Sequence, residues 1–162
     1  MSITAESLGR EQFARLIAHL TASIADRTLD ESLENDLNGK FPAGEAIYRD
    51  IFDSCQRAMK AGWMCNREAS GVKFGRVIKH SPATHGFSVD VVDMEPMAGP
   101  HHSHPNGEID LIMPVEPGAE FDGRGAGWLV YGAGSAHSPT VTGGRALVLY
   151  LLPGGAIQFT RR

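Results

Sequence analysis

The sequence is poor in several features, and each shortage removes a class of protein. It holds two cysteines, Cys55 and Cys65, without the spacing of a metal knuckle and too few for a disulfide framework. They read as reduced thiols of a cytoplasmic protein. No basic block offsets the net charge of −4, so nucleic acid is not expected as a partner. No uninterrupted apolar run approaches the length that crosses a bilayer, so no membrane association is expected. The opening MSITAESLGREQF lacks a basic region followed by an apolar one, and no signal peptide is expected. Glycine and proline are scarce early: most of the 19 glycines and 9 prolines fall after residue 61. The two ends of the chain are therefore built differently.

What is present suits a globular protein with one proper core: 162 residues, 42% hydrophobic and 21% charged. Residues 8–64 read as helical. Phe13, Leu16, Ile17, Leu20 and Ile24 recur along one helix face. Thr28 and Glu31 have capping-box spacing, Leu29, Leu33 and Leu37 share a face, and Asn38-Gly39 reads as a stop. After Pro42 a third helix is expected, with Ile47, Ile51, Cys55 and Met59 on one side and Gly62 at its end. Arg49, Asp53 and Arg57 are spaced to pair on the other side. These amphipathic helices need an apolar partner, which the rest of the chain can supply.

From about residue 70 short strands take over: VKFGRVI, FSVDVVDM, EIDLIMPV, GWLVYGAG and RALVLYLL, parted by turn residues. Strands at this spacing without intervening helices indicate a sandwich or small barrel. EIDLIMPV is apolar on both parities except at Glu108 and Asp110, as expected of a sheet covered on one side by the N-terminal helices or by a second subunit. The expected organisation is a helical extension, residues 1–66, packed on a β-barrel domain, residues 67–162.

The densest chemistry lies in GPHHSHPNGEIDLIMP, residues 99–114. On an extended strand His102 and His104 point to the same face. Pro105-Asn106-Gly107 can turn the next strand back and bring Glu108 against them. Far downstream, GAGSAHSP supplies a glycine-flanked His137. Clustered histidines on a loop are often only a solvated turn, and His-x-His alone is a weak signal. Its combination with the glutamate and the remote histidine favours a metal site. Three imidazoles and a carboxylate suit divalent Fe, Mn, Ni, Co, Cu or Zn.

These residues resemble a known family. HSHPNGE, residues 102–108, matches the first cupin motif, His-x-His, three residues, then Glu. GAGSAH, residues 132–137, is similar to the second, Pro-x-Gly-x-x-His. The resemblance implies a mainly β cupin (jelly-roll) barrel with His102, His104, Glu108 and His137 as metal ligands. Gly132 stands in place of the usual proline, Val141 in place of an asparagine, and Val115 in place of a glycine. All four ligand positions remain occupied. Strand alternation then turns His101 away from the metal and points Asp110 inward with Glu108. Asp110 is a candidate general acid/base, or a hydrogen-bond partner of a ligand.

A wider likeness narrows the chemistry. The helical N-terminus followed by HHSHPNGEIDLIMP, AEFDGRGAGWLVYGAGSAHSPTV and RALVLYLLPGGAIQF resembles the small-cupin 4-hydroxylaminobenzoate lyases of nitroaromatic degradation. That resemblance implies conversion of 4-hydroxylaminobenzoate to 3,4-dihydroxybenzoate with release of ammonia. An aromatic pocket would draw on Phe87, Trp128, Tyr131 or Tyr150, and the substrate carboxylate on Arg76, Arg124 or Arg145. Two rivals use the same barrel: an Fe(II) oxygenase of a small organic acid, and a non-catalytic module that binds one. Cupins commonly pair, so a homodimer is expected.

Overall fold

The computed structural model describes residues 4–160, so residues 1–3 and 161–162 of the two expected segments lie outside the described residues. Among the described residues, three α-helices precede twelve β-strands. Helix α1, Ala5–Ile24, starts where the Thr4 side chain accepts from the Ser7 N–H, and it buries Phe13, Ile17, Leu20 and Ile24. Helix α2, Glu31–Lys40, is capped by Asp30, whose side chain accepts from Leu33 N. The Thr28–Glu31 box expected from sequence is not the cap, because Asp30 stands nearer the helix start and takes the same job. Asn38-Gly39 does not stop the helix either. Helix α3, Ala46–Ala61, buries Tyr48, Ile51, Cys55 and Ala58. It ends at Gly62, whose φ of 87° lets its N–H turn back to Ala58 and Met59. Arg49, Asp53 and Arg57 form no ion pair with one another among the described residues.

The strands are β1 Arg67–Ala69, β2 Val72–Ile78, β3 Phe87–Met94, β4 Met97–Ala98, β5 His102–His104 and β6 Glu108–Pro114. They continue as β7 Glu120–Phe121, β8 Gly127–Tyr131, β9 Ser135–His137, β10 Thr140–Thr142, β11 Ala146–Pro153 and β12 Gln158–Phe159. The long strands form a six-stranded sheet in the order β1-β2-β3-β11-β6-β8. The short ones form two three-stranded sheets, β4-β10-β7 and β12-β5-β9. All pairings are antiparallel. This is a mainly β cupin barrel with N-terminal helices.

The large sheet is apolar on both faces for two different reasons. Val89, Val91, Ile109, Leu111, Leu147 and Leu149 share one core with Phe13, Ile17, Leu33 and Ile51 of the helices. Val92, Ile112, Phe121, Leu129, Val141 and Val148 fill the barrel interior. Side-chain alternation along each strand sorts the two sets, which is why EIDLIMP is buried on both parities. Edge strand β8 is closed by α2. Asn38 accepts from Trp128 N at 2.9 Å and donates to Trp128 O at 3.0 Å, and Glu34 accepts from Val130 N at 2.9 Å. Asn38 therefore serves as a crosslink, satisfying backbone groups that an open edge would leave bare.

Candidate active site

The local backbone explains how the site assembles. His102 and His104 lie on the same face of β5, and β5 pairs with β9 so that His102 stands opposite His137. The turn after His104 closes through Gly107, whose N–H reaches the His104 carbonyl at 3.1 Å. Gly107 has a φ of 88°, and an added Cβ would lie 2.8 Å from the Tyr131 carbonyl oxygen, so only glycine fits. This turn starts β6 with Glu108 pointing into the barrel.

The result is one compact cluster. Ligand atoms of His102, His104, Glu108 and His137 all lie within 4.8 Å of one another, and three of the four side chains are buried. The Nε2 atoms of His102, His104 and His137 approach the Glu108 carboxylate at 3.5, 3.2 and 3.4 Å. The His137 and His102 Nε2 atoms are 3.1 Å apart. Each Nδ1 is engaged elsewhere: His102 with the Pro100 carbonyl at 3.3 Å, His104 with Ser135 Oγ at 3.0 Å, and His137 with Asp122 Oδ2 at 2.5 Å. Tethering at Nδ1 aims Nε2 of every ring at the common centre, the way metal-bound histidines are usually oriented. Among the described residues, His104 Nε2 and both Glu108 oxygens are buried without a hydrogen-bond partner. Such orphaned atoms are costly unless something fills the space between them, and a divalent cation fits that donor set.

Electrostatics follow from the packing. Burial pushes the Glu108 pKa up, but the three surrounding imidazoles outweigh it and hold the group well below the ordinary carboxylate range. Asp110 is completely buried, with both oxygens unpartnered among the described residues. Burial first, and the Glu108 charge second, raise its pKa well above the ordinary value. Asp122 accepts from Tyr131 Oη at 2.5 Å and from Thr140 N at 2.9 Å besides its contact with His137. Burial acts to lower the His137 pKa, yet Asp122 and Glu108 raise it to about 9.

A cavity of about 440 Å³ opens against His102. Of the aromatic candidates, Tyr150 lines it, while Phe87 and Trp128 belong to the core under the helices. Tyr131 packs its ring 4.5 Å from that of His137. Of the three candidate arginines Arg76 reaches the cavity, where Arg67 also stands, while Arg124 pairs with Glu34 and Arg145 with Asp93. His101 turns away, as alternation requires, and meets Thr160. Asp122 and Ser135, which hold two of the histidines, carry no signal of that role in the sequence. Asp122-Gly123 looks like an ordinary turn, and nothing in its spacing ties it to a histidine fifteen positions on.

The family model described as PnbB, 4-hydroxylaminobenzoate lyase, matches residues 15–159. The chain belongs to the 4-hydroxylaminobenzoate lyase family. A 4-hydroxylaminobenzoate lyase of Nocardioides sp. (strain LMS-CY) is 32% identical over 84% of this chain and 86% of its own. Another, from Pseudomonas putida, is 28% identical over 93% of this chain and 95% of its own. Among solved structures, the DMSP lyase DddQ of Ruegeria pomeroyi superposes with a TM-score of 0.54 at 17% identity, covering 93% of this chain and 96% of that one. That last likeness concerns the fold alone.

Proposed function

We propose that this family member is a metal-dependent lyase that converts 4-hydroxylaminobenzoate to 3,4-dihydroxybenzoate and ammonia, consuming water with no net oxidation or reduction. The observation that carries the reading is the convergence of three tethered imidazole Nε2 atoms on an unpartnered, buried Glu108. His102, His104, Glu108 and His137 would hold a divalent Fe, Mn, Ni, Co, Cu or Zn ion. Bound there, such an ion supplies Lewis acidity toward the hydroxylamino group or a water. The protein's own groups do the rest. Asp110 lies on the same face of β6 as Glu108 and directly opposite Tyr150 of β11, sealed from solvent. Its carboxyl group holds a proton and delivers it to the departing nitrogen, so that ammonia rather than an amide anion leaves. Tyr150 walls the cavity beside His102 and excludes water from the ring of the substrate.

A lyase of this kind needs no oxygen, whereas an oxygenase on the same ligands does. Ammonia release from 4-hydroxylaminobenzoate, at equal rates with and without air, is the expected result; absence of ammonia, or dependence on oxygen, refutes the assignment. The two buried free cysteines suit a reducing cytoplasm, which cell fractionation tests. A homodimer active in nitroaromatic degradation is the accompanying expectation, tested by sedimentation and by growth of a deletion strain on a nitrobenzoate.

A further inference from the structure

The cavity that ends at His102 is chemically polarised along its length. Its far wall is built by β1, β2 and β3, which contribute Arg67, Arg76 and Asp90. The rest of the lining toward His102 is largely apolar, including Phe74 and Val92 of the same strands and Ile157. Arg76, Asp90, Tyr150 and Asp110 stand opposite one another on four adjacent strands. At the usual strand spacing, the Arg76 and Asp110 α-carbons are about 14 Å apart. A para-substituted aromatic acid, with the reach of an arginine side chain, spans such a distance.

Arg76 is held in place and still has donors to give. Its Nε and Nη2 bond to the two Asp90 oxygens at 2.8 and 3.2 Å, and Nη2 also reaches the Gly155 carbonyl at 3.3 Å. A guanidinium has five N–H groups, so both protons on Nη1 remain unassigned. An added Cβ at Gly155 would come within 3.0 Å of Nη1, and glycine there keeps the space beside it open. Arg67 stands opposite Phe74 on the neighbouring strand and so shares the interior face. It has no ion-pair partner among the described residues. Two guanidinium groups against one carboxylate leave this end of the cavity positive.

We propose that Arg76, oriented by Asp90 and assisted at the rim by Arg67, is the subsite that receives the carboxylate of an aromatic acid whose reacting group lies at His102. This rests on the lyase reading for its reaction, but carboxylate recognition can be measured without turnover. The probe is benzoate, with benzamide as its uncharged counterpart, titrated calorimetrically into the protein with its metal in place. Wild type binds benzoate in preference to benzamide. Arg76→Met weakens benzoate binding about 10–100-fold, as expected for loss of a charge-assisted pair. Arg67→Met, at an exposed position, weakens it by less. Arg76→Lys keeps the charge and a partner for Asp90 but loses the fork, and gives an intermediate loss even should Arg76→Met fail to fold. Benzoate affinity unchanged in the Arg76 variants, or lost equally with that for benzamide, overturns the subsite. A wild type that binds benzoate through Arg76 yet releases no ammonia overturns the lyase reading and leaves the subsite standing.

Discussion

Replacing Asp122 by asparagine tests how the site is organised, because the change removes a charge and one acceptor oxygen while keeping the side chain's size. The Asp122 carboxylate accepts from three donors: Tyr131 Oη and His137 Nδ1 on Oδ2, and Thr140 N on Oδ1. An asparagine has a single acceptor oxygen. If that oxygen stays with Thr140, the amide group faces His137 Nδ1, and the imidazole proton moves to Nε2, the atom that points at Glu108. If it turns to His137 instead, the Thr140 N–H is left facing an amide donor. The backbone itself tolerates the change, since Asp122 sits at φ 49°, a region asparagine also visits. Loss of a carboxylate partner to a ligating histidine weakens metal affinity by about 10–100-fold, or about 1.4–2.8 kcal/mol. The assay is a chelator-competition titration of metal into wild type and Asp122→Asn, with the melting midpoint of the metal-free proteins as a fold control. Tyr131→Phe, which removes one donor and leaves the carboxylate on His137, has a smaller effect. An Asp122→Asn affinity equal to wild type, in a folded protein, would refute the claim that Asp122 orients His137.

Asn38→Ala leaves both Trp128 backbone groups without their partners at the sheet edge and costs about 2–3 kcal/mol, which thermal denaturation reads as a drop of roughly 5–10 °C; an unchanged midpoint contradicts the edge-closing role of α2. Gly107→Ala forces a Cβ to 2.7 Å from Leu29 and 2.8 Å from the Tyr131 carbonyl at a φ of 88°, and is expected to cost more than about 2 kcal/mol and to lower metal content, measured by denaturation and elemental analysis. Burial raises the thiol pKa of Cys55, and raises that of Cys65 to about 12. The native fold therefore holds these groups protonated where the unfolded chain would ionise them. The resulting stability is intact below about pH 8.5 and falls as pH climbs toward 12. Both thiols should stay silent to a thiol reagent at pH 8 until the chain is unfolded; rapid native labelling would show that they are not sealed.

The parts of this protein that follow local rules can be read from its residues. His102, His104 and Glu108 are close in sequence, and the Pro105-Asn106-Gly107 turn dictates how they meet. Asp110 follows from Glu108 by strand alternation, and its burial in the barrel interior is the geometric consequence. What sequence leaves hidden is registered by distant pairing. Asn38 has the look of a helix stop next to Gly39, and only the packing of α2 beside β8 makes it a crosslink. Asp30 displaces Thr28 as the α2 cap by proximity alone. Arg76, Arg124 and Arg145 are indistinguishable as letters; which one faces the cavity depends on the register of β2 against β3, where Arg76 meets Asp90. Asp122 reaches His137 because β7 and β10 are paired and bring the turn after β7 alongside β9.

The converging cluster at His102, His104, Glu108 and His137 is what would make this protein an ammonia-releasing lyase. The most direct measurement quantifies ammonia and 3,4-dihydroxybenzoate together from 4-hydroxylaminobenzoate, anaerobically, for wild type and Glu108→Gln whose bound metal has been determined. The metal-bearing wild type is expected to release equal amounts of the two products, and the variant to lose both metal and products. Metal bound as predicted but no ammonia, or full turnover by a Glu108→Gln protein without metal, would contradict it.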